Sequence, residues 1–231
     1  MKIGGYQKIS LLDYPEKIVA IVFTTGCNFR CPFCHNPSLI ADNISGTQVS
    51  EDEIFAFLAK RIGRLDGVCV SGGEPLLQPD LAVFLRRIKE LGFLVKLDTN
   101  GSSSPDKLQS LLDEHLVDYV AMDIKNSLKK YSKTVGISDI NVQNIINNAN
   151  ILIKGDTSYE FRTTLVREFH FFEDIRDIGR WLLGAKKYCL QNFHHMTPLL
   201  SKLPLHSFSQ EEIMAMKQIA DEYFQLVEVR L

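Results

Sequence analysis

Short apolar runs rich in β-branched residues alternate with amphipathic helical patterns along this 231-residue chain. That alternation constrains the fold more than any other feature. Residues 18–24 (IVAIVFT) read as a buried strand. Ser50-Glu51-Asp52-Glu53 is a capping box opening a helix through about residue 64. A short strand follows at 68–71, then a helix at 79–91 stopped by Gly92. A strand at 93–98 precedes a helix that Ser104-Pro105 starts with a cap and a first-turn proline. The pattern continues with a strand at 119–124, a helix at 139–149, a strand at 159–166, a helix at 173–187 and a strand at 188–193. A second capping box, Ser209 to Glu212, opens a helix to about residue 224, and 226–230 reads as a terminal strand. Strands alternating with helices of about 10–15 residues argue for a parallel sheet. Six such units fall short of a closed eight-stranded barrel, which typically takes about 250 residues. The expected architecture is therefore α/β, a partly open (β/α)6 barrel of parallel strands, with a doubly wound sheet as the alternative. No linker, repeat or low-complexity stretch interrupts the chain, so one domain over 1–231 is expected.

In such folds chemistry gathers at the C-terminal ends of the strands. The first expected strand runs into Gly26-Cys27-Asn28-Phe29-Arg30-Cys31-Pro32-Phe33-Cys34-His35, a C-x3-C-x2-C run. Three thiolates spaced this closely meet at one point only if the backbone loops tightly around it. Soft thiolates so gathered suit an iron–sulfur cluster or zinc. A [4Fe–4S] cluster normally takes four cysteines. Three, with no fourth nearby, would leave one iron open to a substrate, which suggests a catalytic cluster rather than an electron wire. A Cys3His zinc site completed by His35 is the alternative. Cys31 to His35 also matches the C-x-x-C-H haem-attachment pattern, but that chemistry belongs to exported proteins, and the chain opens without an apolar signal segment.

The other expected strands end in polar groups too. Ser71-Gly72-Gly73-Glu74-Pro75 follows the second. Gly72 and Gly73 let the backbone approach a ligand closely, and Glu74 offers a carboxylate to an ammonium group; an ordinary glycine turn is the plainer reading. Asp98-Thr99-Asn100-Gly101 ends the third strand and Asp123-Ile124-Lys125-Asn126 the fourth. Asp98 and Asp123 on neighbouring strands would repel unless a cation or hydroxyls intervened; helix capping is the plainer role for Asp98. Arg162, within the fifth strand, needs an anionic partner if it points inward, and a ligand carboxylate would serve; pointing outward it needs nothing. Gln191-Asn192-Phe193-His194-His195 ends the sixth, with the histidines equally at home in a solvated loop.

Composition narrows the functional classes. The net charge is −2 with both signs dispersed, so nucleic-acid binding lacks its basic stripe. No apolar run approaches the roughly 18–20 residues of a membrane span. Free cysteines without a signal peptide point to a reducing cytoplasm. Beyond the triad only Cys69 and Cys189 remain, each in an apolar run and expected as a buried structural thiol, leaving no cysteines for an auxiliary cluster.

The cysteine run after one strand, followed by G-G-E-P after the next, resembles the radical S-adenosylmethionine enzymes, and the resemblance spans about residues 4–193. It implies that Cys27, Cys31 and Cys34 hold a [4Fe–4S] cluster whose open iron binds S-adenosylmethionine. It places the Phe33 backbone near the adenine, and gives Gly72, Gly73 and Glu74 the methionine ammonium. Reductive cleavage then yields methionine and a 5′-deoxyadenosyl radical, the cofactor supplying the chemistry and the protein the orientation. Asp98-Thr99-Asn100-Gly101 and Asp123-Ile124-Lys125 resemble the D-T-N-G and D-L-K motifs of pyruvate formate-lyase activating enzymes, with Ile124 in place of leucine. There the aspartates and threonine help bind a monovalent cation, and Arg162 resembles an arginine that contacts S-adenosylmethionine. The histidine that this subfamily carries on its sixth strand has no clear counterpart; Gln191, Asn192 and His194 are the candidates. The opening GGYQKISLLDYP and the run TTGCNFRCPFCHNP are more similar to anaerobic ribonucleoside-triphosphate reductase activating proteins. The resemblance thus implies a radical SAM oxidoreductase that places a glycyl radical on a partner enzyme, with reduced flavodoxin or ferredoxin as electron donor. The alternatives are activation of pyruvate formate-lyase or another glycyl radical enzyme, and chemistry on a small molecule, as in 7-carboxy-7-deazaguanine synthase. Residues 197–208, punctuated by prolines, are a candidate docking segment.

Overall fold

The computed structural model describes residues 1–40, 49–194, 199–202 and 204–231. The chain forms two compact units, one of residues 1–28, 38–99 and 103–121, the other of 29–37, 100–102 and 122–231.

The first unit holds β1 (Ile3–Ser10), β2 (Val19–Thr24), α1 (Glu51–Ala59), β3 (Gly67–Gly72), α2 (Leu81–Glu90), β4 (Leu94–Thr99) and α3 (Pro105–Asp113). β2, β3 and β4 are parallel, with Val22 opposite Val70 and Val70 opposite Leu97. Val19 to Val22 and Val68 to Val70 are buried without interruption, which is why these strands read as unbroken apolar runs. The caps act as expected: the Ser50 hydroxyl accepts from the Glu53 N–H (3.1 Å), and Pro105 sits in the first turn of α3. The first helix stops short of residue 64, where it was expected to end: it closes at Ala59 and gives way to hydrogen-bonded turns through residues 61–65. β1 was not legible. It pairs antiparallel with β2, with register shifts between Ile3 and Gly5 and between Gln7 and Ser10. Its glycines and polar residues break the alternation that marks a strand.

β5 (Tyr119–Asp123) begins in the first unit and ends in the second. The second unit continues with α4 (Tyr131–Val135), α5 (Val142–Lys154), β6 (Ser158–Leu165), α6 (Phe172–Trp181), β7 (Lys187–Asn192), α7 (Gln210–Ala220) and β8 (Leu226–Arg230). β6, β7 and β8 are parallel, with Phe161 opposite Tyr188 and Cys189 opposite Glu228. Tyr159, Phe161, Thr163 and Leu165 are buried on one side of β6; alternation puts Glu160 and Arg162 on the other. Glu160 is buried there as well, held by Arg230 through two bonds (2.8 and 3.2 Å). The short α4 escaped the sequence pattern because five residues carry no periodicity. It ends at Gly136, whose φ of +68° suits glycine.

Hydrogen bonding takes the strands in chain order within each unit, β1 to β4 in the first and β6 to β8 in the second. The α/β class and the parallel, partly open sheet expected from the alternation are what the chain adopts.

Two glycines at the end of β3 are fixed by backbone proximity. The Gly73 N–H donates to the Thr24 carbonyl (2.9 Å) and the Glu74 N–H to the Gly26 carbonyl (2.8 Å). A Cβ on Gly72 would stand 2.4 Å from Thr24 backbone atoms, and one on Gly73 would stand 2.1 Å from the Gly26 oxygen. Gly73→Ala should therefore lose about 2 kcal/mol or more of stability, read as a lower urea midpoint at unchanged slope. An unchanged midpoint would mean that the glycine serves only a ligand.

Candidate functional site

The first unit contributes a polar group at the ends of β2, β3 and β4. Glu74 is fully buried. Its Oε1 accepts from the Leu76 N–H (3.0 Å), capping a short helical turn at Pro75–Leu77, and from the Thr99 hydroxyl (2.7 Å). Asp98 does not cap a helix. Its carboxylate takes the Ser71 hydroxyl (3.1 Å) and the ammonium of Lys96. Lys96 is only 1% exposed and also lies 4.0 Å from the Cys69 thiol. The sequence carried a signal for it, a lone charge inside an apolar strand, but only the equivalent signal at Arg162 was read. Cys27 belongs to this unit, where its N–H donates to the Ile40 carbonyl (3.2 Å).

The second unit gathers the remaining expected residues. The Arg162 Nε donates to Asp123 Oδ1 and the Lys125 ammonium to Oδ2, both at 2.9 Å. Arg162 thus points inward, and Asp123 is an anionic partner for it. The backbone on either side of Lys125 is pinned. The Thr163 hydroxyl donates to the Ile124 carbonyl (2.7 Å), and the Tyr188 hydroxyl donates to Thr163 (2.7 Å). The Lys125 N–H donates to the Tyr131 oxygen (3.1 Å). His170, fully buried, accepts the Val166 N–H at Nδ1 (3.0 Å) and meets the Lys125 carbonyl at Nε2 (2.8 Å), which makes the Nε2–H tautomer the one that satisfies both. Sequence reasoning missed His170 and Tyr131, because nothing local distinguishes a histidine or tyrosine that braces a neighbouring loop.

The part of the cysteine run in this unit rests on the same scaffold. The Arg30 N–H donates to the Val135 carbonyl (2.8 Å) at the end of α4, and the Cys34 N–H closes a turn on the Cys31 carbonyl (3.0 Å). Phe33 lies between these cysteines, with its ring 5.6 Å from Phe169 and 6.2 Å from His170, edge to face. His35 stacks on Phe193 at 5.8 Å. Asn100 is buried, its Oδ1 accepting from the Ser102 N–H (2.9 Å) and hydroxyl (2.6 Å). Of the candidates for the missing histidine, Asn192 is occupied with Phe208, bonding its N–H and carbonyl at 3.1 and 2.9 Å. His194 is exposed. His195 and parts of 197–208 lie outside the described residues; of that segment, the Ser201 N–H donates to the Pro32 carbonyl (3.0 Å).

Electrostatics follow from these partners. Burial alone would raise the Asp123 carboxyl, but Arg162 and Lys125 outweigh it and hold it well below the usual carboxylate range. Burial would lower Lys125; Asp123 and the nearby Cys31 keep it above the usual lysine value. Burial pushes the Cys34 thiol up, opposed by the Asn36 backbone and the Lys125 charge. Burial also lowers His35 and His170, so both favour the neutral ring. Cys69 and Cys189 are fully buried, and burial pushes the Cys189 thiol up to about 12.

Among the described residues no group of three His, Cys, Asp or Glu side chains stands ready around a metal ion. The chemistry of the donor set nonetheless fits a thiolate-bound cluster. Cys27, Cys31 and Cys34 are all free of disulfides, and three soft sulfur donors this close in sequence are the ligand type such a cluster takes.

A pH dependence follows from His170. Its folded value lies below the unfolded one, so its contribution to stability is complete above about pH 6.5 and is lost as the pH falls. The stability difference between wild type and His170→Gln should therefore be largest above pH 7 and shrink towards pH 5, measured by chemical denaturation at each pH. A difference that grew on acidification would contradict the neutral, doubly bonded ring.

Comparison with known proteins identifies the family. Residues 21–182 match the Radical SAM superfamily model. A Methanocaldococcus jannaschii protein provisionally named a glycyl-radical enzyme activating enzyme is 32% identical over 240 residues, covering 99% of this chain and 95% of that protein. The pyruvate formate-lyase-activating enzyme of Listeria monocytogenes is 37% identical over 135 residues, 54% of this chain and 53% of that one. Streptococcus suis SuiB bound to S-adenosylmethionine shares the fold, with a TM-score of 0.72 at 13% identity over 92% of this chain and 50% of its own. With the cysteine run, the strand-end carboxylates and a relative matched along nearly its whole length, the chain belongs to the radical SAM superfamily, among the glycyl-radical enzyme activating enzymes.

Proposed function

We propose that this chain activates an anaerobic ribonucleoside-triphosphate reductase by placing a radical on one of its glycines. The observation that carries the activase reading is the clamp of Arg162 and Lys125 on Asp123, beside Cys31 and Cys34 and on the D-I-K segment. The choice of reductase rests on residues 4–15 and on the run TTGCNFRCPFCHNP. In this reading Cys27, Cys31 and Cys34 hold a [4Fe–4S] cluster, which when bound supplies the electron that splits the carbon–sulfur bond of S-adenosylmethionine. Gly72, Gly73 and Glu74 receive the methionine ammonium, and the backbone of Phe33 the adenine. Arg162 and Lys125 orient anionic groups of the ligand, and Asn100 keeps the turn after β4 in place. Asp98, Thr99 and Asp123 are the partners for a monovalent cation. Lys96 already pairs with Asp98, and Arg162 and Lys125 with Asp123, so such a cation would meet carboxylates that have cationic partners of their own. Reduced flavodoxin or ferredoxin supplies the electron.

A second reading, activation of pyruvate formate-lyase, is favoured by the 37% identity to the Listeria enzyme over about half of each chain.

Two expected outcomes test the proposal. Glu74→Gln keeps an oxygen for the Leu76 N–H and Thr99 hydroxyl while removing the charge. It should weaken S-adenosylmethionine binding at least about tenfold, the scale of a lost charge-assisted bond, and leave the cluster's absorption spectrum unchanged. Equal affinity would remove Glu74 from the site.

The partner is tested by mixing the reconstituted, reduced protein with S-adenosylmethionine and the reductase under strict anaerobiosis. A glycyl radical doublet should appear by electron paramagnetic resonance, with comparable 5′-deoxyadenosine, and vanish when the partner glycine is alanine. A doublet only with pyruvate formate-lyase would establish the second reading instead. No doublet with either, together with fast turnover of a small molecule, would end the activase reading.

A further inference from the structure

The second unit carries a basic, partly aromatic surface on the outside of the cysteine run. A hollow of about 40 Å³ is lined by Lys130, Lys133, Thr134, Glu168, Phe169 and Phe171. Its inner wall leads to the cysteines by two short routes. The Phe169 ring stands 5.6 Å from that of Phe33, the residue between Cys31 and Cys34. One residue beyond Thr134, the Val135 carbonyl accepts the Arg30 N–H, and Gly136 lies so close that a Cβ there would stand 2.6 Å from the Arg30 oxygen.

Its outer rim is cationic. Lys129 is 84% exposed and pairs with Asp177 (3.4 Å), which is 21% exposed. Lys133 is exposed and makes no ion pair among the described residues, and Arg30, whose N–H reaches the Val135 carbonyl, is exposed too. The lining carboxylate of Glu168 is also exposed and is engaged by the His206 ring and N–H. Lys130 pairs with Asp174, but the aspartate is buried at 4% side-chain exposure while the lysine is 40% exposed. A partner at the surface therefore meets the cation more than the anion. Phe171 is 58% exposed under the Lys130 ammonium, at 4.5 Å, and Phe172 is 38% exposed. Exposed aromatics framed by lysines are costly to leave in water and suit a small contact with an apolar centre and a charged rim.

We propose that this surface, from Lys129 to Gly136 with Phe169 and Phe171, is the docking site of an acidic one-electron donor protein. The inference rests on the cluster assignment made above. Charge complementarity names the occupant: a lysine rim selects an acidic protein, and the contact between Phe169 and Phe33 sets its redox centre beside the cysteines. Donation oxidises the donor by one electron and reduces the cysteine-bound cluster by one, with no bond made or broken. Contacts of this kind are small and transient, so their charge acts chiefly on encounter.

The test compares wild type with the double variant Lys129→Glu/Lys133→Glu, and with Lys154→Glu at the exposed end of α5 as a control. Binding of oxidised flavodoxin and ferredoxin to each protein is measured by calorimetry at low and high salt, and the rate of cluster reduction by the reduced donors is measured by stopped flow. Reduction by dithionite runs in parallel. The double reversal should weaken donor binding and slow protein-driven reduction by about tenfold or more at low salt, the range of electrostatic steering, and should abolish the salt dependence that wild type shows. Dithionite reduction and the Lys154→Glu variant should match wild type. Unchanged donor binding in the double variant overturns the proposal, as does a wild type that binds neither donor. If the reversal instead weakens binding of the reductase and spares the donor, the surface belongs to the glycyl radical partner and the proposal fails. Absence of a reducible cluster in wild type under dithionite would strike the proposed function itself, and calorimetry would still report on the docking surface.

Discussion

Asp123 between Arg162 and Lys125 is the interaction on which the second unit's polar side depends. An isolated arginine or lysine at 13–16% side-chain exposure would be expensive to hold. One carboxylate at the end of β5 makes both tolerable and fixes both directions, since each cation takes a different oxygen. Everything that positions Lys125 then follows from backbone bonds. Thr163, Tyr131 and His170 hold the carbonyls and N–H groups from Ile124 to Lys125, and the His170 ring in turn meets Phe33. Removing a member of such a network exposes the desolvation cost of the rest, so these side chains act as a unit.

The first unit uses the same device in a simpler form. Lys96 and Asp98, two residues apart on β4, share one face and neutralise each other, with Ser71 across the sheet as a third partner. Glu74 is different. It is a buried carboxylate held by a hydroxyl and a backbone N–H, with its position fixed by glycines that let β3 close on the carbonyls of Thr24 and Gly26. The glycine pair is thus explained by backbone contact alone, and a ligand role for it is an addition to that requirement.

Much of this was legible because it depends on local pattern. Parallel strands buried on both faces declare themselves as unbroken apolar runs, and capping residues such as Ser50 and Ser209 mark where helices begin. The polar strand ends were visible for the same reason, as the points where apolar runs stop. β1 was hidden because its register shifts and glycines erase a period of two, and α4 because five residues have no period. Lys96 carried a local signal, a lone charge inside an apolar strand, that went unread. Tyr131 and His170 carried none: they matter through the backbone of Lys125, 6 and 45 residues away in sequence. Asp98 and Asp123 were expected to repel unless a cation or hydroxyls intervened; Lys96 and the Ser71 hydroxyl stand at Asp98, and Arg162 and Lys125 at Asp123.

The turn that links Cys31 to Cys34 and the bond from Arg30 to Val135 have a consequence for where such a protein places iron. In a zinc finger the metal organises the chain, so the empty form is unfolded and short-lived. Here residues 30–34 also have backbone bonds of their own, to α4 and within the turn. A substitution that shifts α4, such as one at Gly136, where a Cβ would meet the Arg30 oxygen, would move these thiols as well. The placement of any iron is thereby tied to a helix far from the cysteines in sequence.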